Sequence, residues 1–124
     1  MGKIRKLTPK EYEKCSAIWD MGKNPELAAL WKEELVLGKR LIFVYEENGD
    51  FLGEGALVLE NDDPDYTSPG KRAYVSRMMV REEYRGRGIG GAILEVLFRE
   101  AEKRGITELS IGVNVENEGA LRLY

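Results

Sequence analysis

Tyr84-Arg85-Gly86-Arg87-Gly88-Ile89-Gly90-Gly91 sets four glycines and two arginines at the entry of a strongly amphipathic helix. Glycine lets a backbone approach a ligand with no Cβ in the way, and the first turn of a helix offers unpaired N–H groups with a partial positive charge. The stretch therefore has the chemistry of a phosphate cradle, although a glycine cluster between a strand and a helix can also be no more than a tight turn. The helix behind it is well specified. Ile89, Ala92, Ile93, Val96, Leu97 and Ala101 recur at helical spacing, Glu95 and Arg99 form an i,i+4 pair, and Gly105 is a natural stop.

Spacing separates three kinds of phosphate loop. Gly86-Arg87-Gly88-Ile89-Gly90-Gly91 matches G-x-G-x-x-G, the dinucleotide fingerprint, which should follow its strand closely and have an acidic residue at the tip of the next strand. Here the preceding strand ends at Val80, with five residues between it and Gly86, and the next strand, near Thr107 to Val115, carries Glu108 at its start instead. The Walker pattern needs Lys-Ser/Thr after its last glycine, where this chain has Ala92-Ile93.

The third kind fits. Arg85-Gly86-Arg87-Gly88-Ile89-Gly90 matches R/Q-x-x-G-x-G/A, and the run from Met78-Met79-Val80 through Tyr84 to Gly91 resembles the GNAT superfamily of N-acetyltransferases. Downstream, Asn117-Glu118-Gly119-Ala120-Leu121-Arg122-Leu123-Tyr124 is similar to that family's N-x-x-A-x-x-L-Y segment. The resemblance is close over Arg72 to Tyr124 and rests on the pattern of elements before that.

The rest of the chain reads outward from the loop. Arg72 to Val80 is the strand that delivers it. Glu47-Asn48-Gly49-Asp50 is a hairpin turn between strands Leu41 to Tyr45 and Phe51 to Leu59, and Asn61 to Lys71, with two prolines and three aspartates, is a loop. Ile4 to Leu7 is a short first strand. Thr8-Pro9-Lys10-Glu11 reads as an N-cap, a proline at the first helical position and a capping-box Glu, opening a helix to about Met21 with Tyr12, Cys15, Ile18 and Trp19 on one side. Asn24-Pro25 begins a second helix running to Leu37-Gly38. The fold class is α/β, one domain over residues 1–124. Its sheet is mixed and mostly antiparallel, with a parallel fourth and fifth strand pair and flanking helices. GNAT proteins usually continue past the tyrosine into two further strands. Their absence after Tyr124 predicts a homodimer, or pairing with a segment from elsewhere, through the exposed edge of Glu108 to Val115.

Composition narrows the chemistry. The chain has 124 residues, 43% hydrophobic and 33% charged, with net charge −3, which argues against a nucleic-acid partner. No apolar run approaches the ~20 residues of a membrane span and the start lacks a signal-peptide core, so the expectation is a cytoplasmic protein without a membrane partner. The chain contains no histidine and a single cysteine, Cys15, which reads as a buried helix residue. Without imidazole, zinc sites and Ser-His or Cys-His pairs lose their usual partner, so no metal is expected and direct transfer between two bound substrates remains.

The resemblance implies an acetyl-CoA-dependent enzyme that moves an acetyl group to a primary amine by direct attack in a ternary complex. The alternatives are a non-catalytic acyl-CoA or nucleotide-binding module, and a nicotinamide oxidoreductase. It also implies that Met78, Met79 and Val80 pair by backbone with the pantetheine arm, and that the segment Arg85, Gly86, Arg87, Gly88, Ile89, Gly90 and Gly91 holds the pyrophosphate. Asn117 would contact pantetheine and Tyr124 would be the general acid. A phenol with a reference pKa near ~10 can protonate a departing thiolate while staying neutral at pH 7. Glu54 is a weak candidate for the base, and a water relay would serve as well. From Leu41 to Gly70 there is no Lys or Arg, while Glu46, Glu47, Asp50, Glu54, Glu60, Asp62, Asp63 and Asp65 lie there. Such a field would attract a cationic acceptor, or would simply be a solvated acidic face.

Overall fold

The computed structural model describes residues 2–60, Thr67 and residues 71–111. Asn117, Tyr124, strand positions 112–115 and Asp62, Asp63 and Asp65 of the acidic stretch lie outside the described residues. Five strands, β1 (Lys3–Lys6), β2 (Arg40–Glu47), β3 (Asp50–Val58), β4 (Arg72–Val80) and β5 (Glu108–Ile111), form one sheet in that order. The first three pairings are antiparallel, and β4 and β5 run parallel. Helix α1 (Pro25–Val36) precedes β2, and helix α2 (Ile89–Lys103) makes the crossover from β4 to β5. This is the mixed sheet that the spacing of turns and helices predicts.

Local chemistry fixes the junctions. The β2–β3 turn has Asn48 at φ 53° and Gly49 at φ 85°, the two left-handed residues of a hairpin turn whose twist matches its strands. Helix α1 ends in a Schellman motif: Gly38, at φ 77°, donates its N–H to Leu35 O at 3.2 Å, and Lys39 N–H reaches Glu34 O at 2.9 Å. Helix α2 ends the same way, with Gly105 N–H on Glu102 O and Ile106 N–H on Ala101 O, both at 3.0 Å. The chain then returns at once to β5, whose Glu108 N–H donates to Lys71 O at 3.0 Å.

Each face of the sheet carries its own apolar layer. Ile89, Ile93, Leu94, Leu97 and Ala101 of α2 pack on Leu41, Phe43, Leu57, Ala73, Val75 and Met78. On the opposite face Tyr12, Cys15, Trp19 and Leu35 cover Ile42, Val44, Phe51 and Ala56. Burying a Leu- or Ile-sized side chain contributes about 1.5–3 kcal/mol, so the α2 stripe alone is a major part of what holds the crossover to the sheet.

The segment after Thr8 differs from the expected helix: it is 3-10 over Pro9–Ala17. Its inward residues explain the tighter winding. Tyr12, Cys15 and Ile18 are spaced by three, which lines them up on a helix of three residues per turn, and Ile18 N–H bonds back to Cys15 O at 2.8 Å. Thr8 and Glu11 meet as expected, with the Glu11 carboxylate accepting from the Thr8 hydroxyl at 3.0 Å.

Candidate functional site

Strand β4 is irregular where it matters. Leu57 of β3 lies opposite Val75 and Ala56 lies opposite Arg77, so Ser76 is an extra residue, a β-bulge. The described pairing of β4 with β5 runs from Arg72–Glu108 to Val75–Ile111, ending beside that bulge. β4 itself continues along β3 to Val80, opposite Gly53. The backbone of Met78, Met79 and Val80 therefore lies past the described β5 pairing. Met78 is buried among the α2 layer, while Met79 packs against the opposite layer.

From Val80 the chain makes a short 3-10 turn, Glu82–Tyr84, and enters the glycine loop. Gly86 and Gly88 take φ of 85° and 81°, and a Cβ built on either meets nothing within 4 Å. The backbone conformation calls for glycine, and the space beside it is open. Gly88 is the N-cap of α2, and the first helical bond is Ala92 N–H to Gly88 O at 3.1 Å. The amides of Ile89, Gly90 and Gly91 come before that bond, at the positive end of a fifteen-residue helix. The buried Ile89 side chain pins the first turn to the core while residues 85–88 stay exposed. Gly90 has more ordinary surroundings, its built Cβ lying 3.8 Å from Val80 Cγ2.

The two loop arginines have different partners. Arg85 Nε donates to Val80 O at 3.2 Å, tying the loop back to the end of β4. Arg87 Nη2 reaches Glu47 Oε2 across the loop at 3.1 Å, and its guanidinium lies 5.5 Å from the centre of the Tyr84 ring. Glu47 also accepts from Tyr45 Oη at 3.4 Å.

The acidic stretch is partly spent inside the protein. Glu46 is paired with Arg5 at 2.7 Å, and that hydrogen-bonded guanidinium holds its carboxyl below the usual carboxylate range. Glu47 is paired with Arg87, and Glu54 is 4% exposed on β3, in register with Val44 and Met79. These three carboxylates are not a free field at the surface.

Two residues of the site escaped the sequence reading. Arg40, at the start of β2, is 4% exposed, with Nε on Glu34 Oε1 at 2.9 Å and Nη1 on Ser76 Oγ at 3.0 Å. Burial lowers the guanidinium's affinity for its proton, and the Glu34 carboxylate opposes that shift. Neither residue belongs to a motif, and the bond joins positions 36 apart. A further feature is an open groove of about 560 Å³ at the start of α1, lined by Lys23, Asn24, Pro25, Glu26, Leu27 and Leu30. Leu27 and Leu30 are exposed there, and their three-residue spacing just inside a helix start is the sequence signal that would have found it.

Among the described residues no group of three His, Cys, Asp or Glu side chains could hold a metal ion, and no helix is long and apolar enough to cross a membrane.

The chain is similar to known acetyltransferases in sequence and in fold. It is 29% identical over 82 residues to N-alpha-acetyltransferase 30 of Schizosaccharomyces pombe, an alignment covering 66% of this chain and 52% of that protein. It is 38% identical over 52 residues to an uncharacterized N-acetyltransferase of Methanocaldococcus jannaschii, covering 42% of this chain and 23% of the other. The chain thus spans from about a quarter to a half of the length of these curated relatives. Its fold superposes on a predicted acetyltransferase from Clostridium acetobutylicum solved with acetyl-CoA, with a TM-score of 0.79 at 22% identity, covering 100% of this chain and 88% of the other. The aminoglycoside N-acetyltransferase AAC(6')-Iy, solved with a bisubstrate analog, gives 0.76 at 16% identity, covering 99% and 86%. The sequence profile of the Acetyltransferase (GNAT) family matches residues 4–124. By that match, over a mixed sheet with a glycine loop between β4 and α2, the chain belongs to the GNAT acetyltransferase family.

Proposed function

We propose that the protein transfers an acetyl group from acetyl-CoA to a primary amine by direct attack within a ternary complex. The observation that carries this reading is the pair Gly86 and Gly88, both at positive φ with open space beside them, at the N-terminus of α2 and shortly after strand β4. Helix amides and glycine backbone are suited to a pyrophosphate, and a strand edge is suited to an extended, amide-containing arm that bonds as another strand would. Residues 85–91 hold the pyrophosphate, and Met78, Met79 and Val80 receive the pantetheine. The Val80 carbonyl already accepts from Arg85, so its amide and the Met78 groups are the better placed partners; Met79 sits in register with Glu54, two residues before the Arg81 N–H to Leu52 O bond, which turns its backbone groups toward β3.

The chemistry needs no covalent enzyme intermediate. The lone pair of a neutral amine attacks the thioester carbonyl carbon, a C–N bond forms, and the carbonyl π electrons move to oxygen. Collapse of that tetrahedral species breaks the C–S bond, the electron pair leaves with sulfur, and the thiolate takes a proton while the nitrogen gives one up. Tyr124 supplies the proton to sulfur, Asn117 contacts the pantetheine, and a water chain or Glu54 removes the amine proton. The acceptor class is that of cationic amines, of which the aminoglycosides acted on by several structural neighbours are one kind.

Incubation with acetyl-CoA and a panel of amines, followed by free thiol, tests the reading. Thiol release that depends on one class of amine supports it. CoA binding without thiol release from any amine would reduce the protein to an acyl-CoA-binding module, and NADH binding tighter than CoA would overturn the assignment of the loop. Tyr124→Phe should lower turnover by ~10²- to 10⁴-fold, the range of general acid catalysis, with CoA affinity nearly unchanged.

A further inference from the structure

Arg40 is a buried charge that the transfer chemistry does not use. Taking a guanidinium out of water is costly, and a buried ion pair is seldom worth more to stability than well-packed apolar side chains of the same volume. Its placement explains what the charge does instead. The Schellman turn at Gly38 brings the chain from α1 straight into β2, so that Arg40, six residues after Glu34, meets its carboxylate at 2.9 Å. The indole of Trp31, one turn earlier on α1, lies under the guanidinium with 4.7 Å from Cζ to the ring centroid. The remaining arm of the fork crosses β3 and donates to Ser76 Oγ at 3.0 Å. Ser76 is the extra residue of the β4 bulge, beside the last described β4–β5 pair and two residues ahead of Met78.

A bulge residue stands outside the ladder, and its course depends on side-chain anchors. Lysine could not reproduce this one. A guanidinium presents donors in a fixed plane that can stack on an aromatic face while serving two acceptors in different directions, whereas an ammonium is a point charge on a flexible stem.

We propose that Arg40 is a positioning residue for the cofactor strand: held by Glu34 and Trp31 of α1, it grips Ser76 at the β4 bulge and so sets the course of the Met78–Val80 backbone toward acyl-CoA. This rests on the reading that the β4 backbone receives the pantetheine. It links α1, on one face of the sheet, to the strand edge that takes the cofactor. The effect on the reaction is indirect, through the geometry of β4, and Arg40 itself touches no reacting atom.

The test uses the full chain with CoA calorimetry and steady-state kinetics. Ser76→Ala removes the acceptor with little bulk change and should weaken CoA affinity and raise KM for acetyl-CoA about tenfold, the scale of one hydrogen bond to a charged group, with kcat and the KM for the amine nearly unchanged. Ser76→Thr keeps the hydroxyl and should restore affinity. Arg40→Lys should match Ser76→Ala, and the double variant should be no worse than Arg40→Lys alone, because both remove one contact. A merely structural role would lower the melting temperature and leave the KM split, the rescue and the non-additivity absent. Wild-type affinity in Ser76→Ala, or additive losses in the double variant, would overturn the proposal. The supporting reading is checked separately: Gly88→Val losing CoA while Ser76→Ala keeps it would sink only the role of Arg40, and a wild-type protein that binds no CoA would sink both.

Discussion

Two pairs of glycines in this protein do opposite work. Gly53 and Gly55 on β3 lie under α2, where a built Cβ would come within 3.1 Å of Ile89 Cγ2 and within 2.5 Å of Ile93 Cγ2 respectively. Gly86 and Gly88 lie at the start of the same helix, where a built Cβ would meet nothing. The first pair has extended backbone that any residue adopts and no room; the second has room and a backbone that L side chains avoid. Residue type alone does not separate a packing glycine from a ligand-approach glycine, whereas the surroundings of the missing Cβ do. In the first pair glycine lets the helix sit close on the sheet, and in the second it permits the positive φ of a loop with open space beside it.

Substitution should divide the pairs cleanly. The largest effect is expected at the open pair: Gly88→Val puts a branched side chain where phosphate oxygens would lie. Losing two charge-assisted amide bonds of ~1.5 kcal/mol each corresponds to a drop in CoA affinity on the order of 100-fold, seen by calorimetry. Its effect on stability should stay near the ~1–2 kcal/mol of one strained left-handed residue. Gly55→Ala should do the reverse, costing about 1–3 kcal/mol in urea unfolding through overpacking while CoA affinity of the folded protein is kept. If Gly88→Val unfolds the protein and Gly55→Ala abolishes binding, the contrast is inverted and the cradle is in the wrong place.

Smaller effects sharpen the same contrast. Glu47→Gln should free Arg87 for an anionic ligand and raise CoA affinity by about 2- to 5-fold, since an exposed ion pair is worth only ~0.2–1 kcal/mol, and the gain should shrink with added salt. Unchanged affinity would mean that Arg87 does not serve the loop. The smallest expected effect lies at the far edge of the sheet, away from both pairs. There Arg5 bonds Glu11 at 2.6 Å and, with help from Thr8, holds its carboxyl down to about 2. Because the folded pKa is depressed, this contribution is present above the unfolded value of ~4.3 and is lost as pH falls from there toward 2. Urea unfolding between pH 5 and pH 3 should show a shallower acid loss in Glu11→Gln than in wild type; equal slopes would place the titration elsewhere.

What was legible in the sequence was local. The Asn48-Gly49 turn, the β4 boundaries Arg72–Val80, the α2 stripe and its stop at Gly105 follow from periodicity and from residues that permit positive φ. The glycine loop was legible for the same reason. The bulge at Ser76 and the grip of Arg40 on it were not, because nothing near either residue in the chain signals a contact between positions 36 apart. Arg40 reads as an ordinary charged residue at a strand start, and only the fold reveals that it is buried. The 3-10 winding of Pro9–Ala17 was half legible: the stripe Tyr12, Cys15, Ile18 fits three residues per turn, but the cap signals at Thr8, Pro9 and Glu11 are those of an α-helix as well. Glu46 and Glu47 of the acidic run looked free because their partners, Arg5 and Arg87, come from distant parts of the sequence.

The two tryptophans of the chain, Trp19 and Trp31, lie with ring centroids 5.2 Å apart on the face of the sheet opposite α2, and Trp31 sits directly under Arg40. Indole emission from this protein is therefore a one-sided signal. It reports the α1 layer and its guanidinium, and it is silent about the helix that carries the glycine cradle. A change in that emission when CoA is added would have to travel through the sheet, and the bond between Ser76 and Arg40 offers one such route. The protein thus carries an intrinsic optical probe at the end of that route, readable without any label.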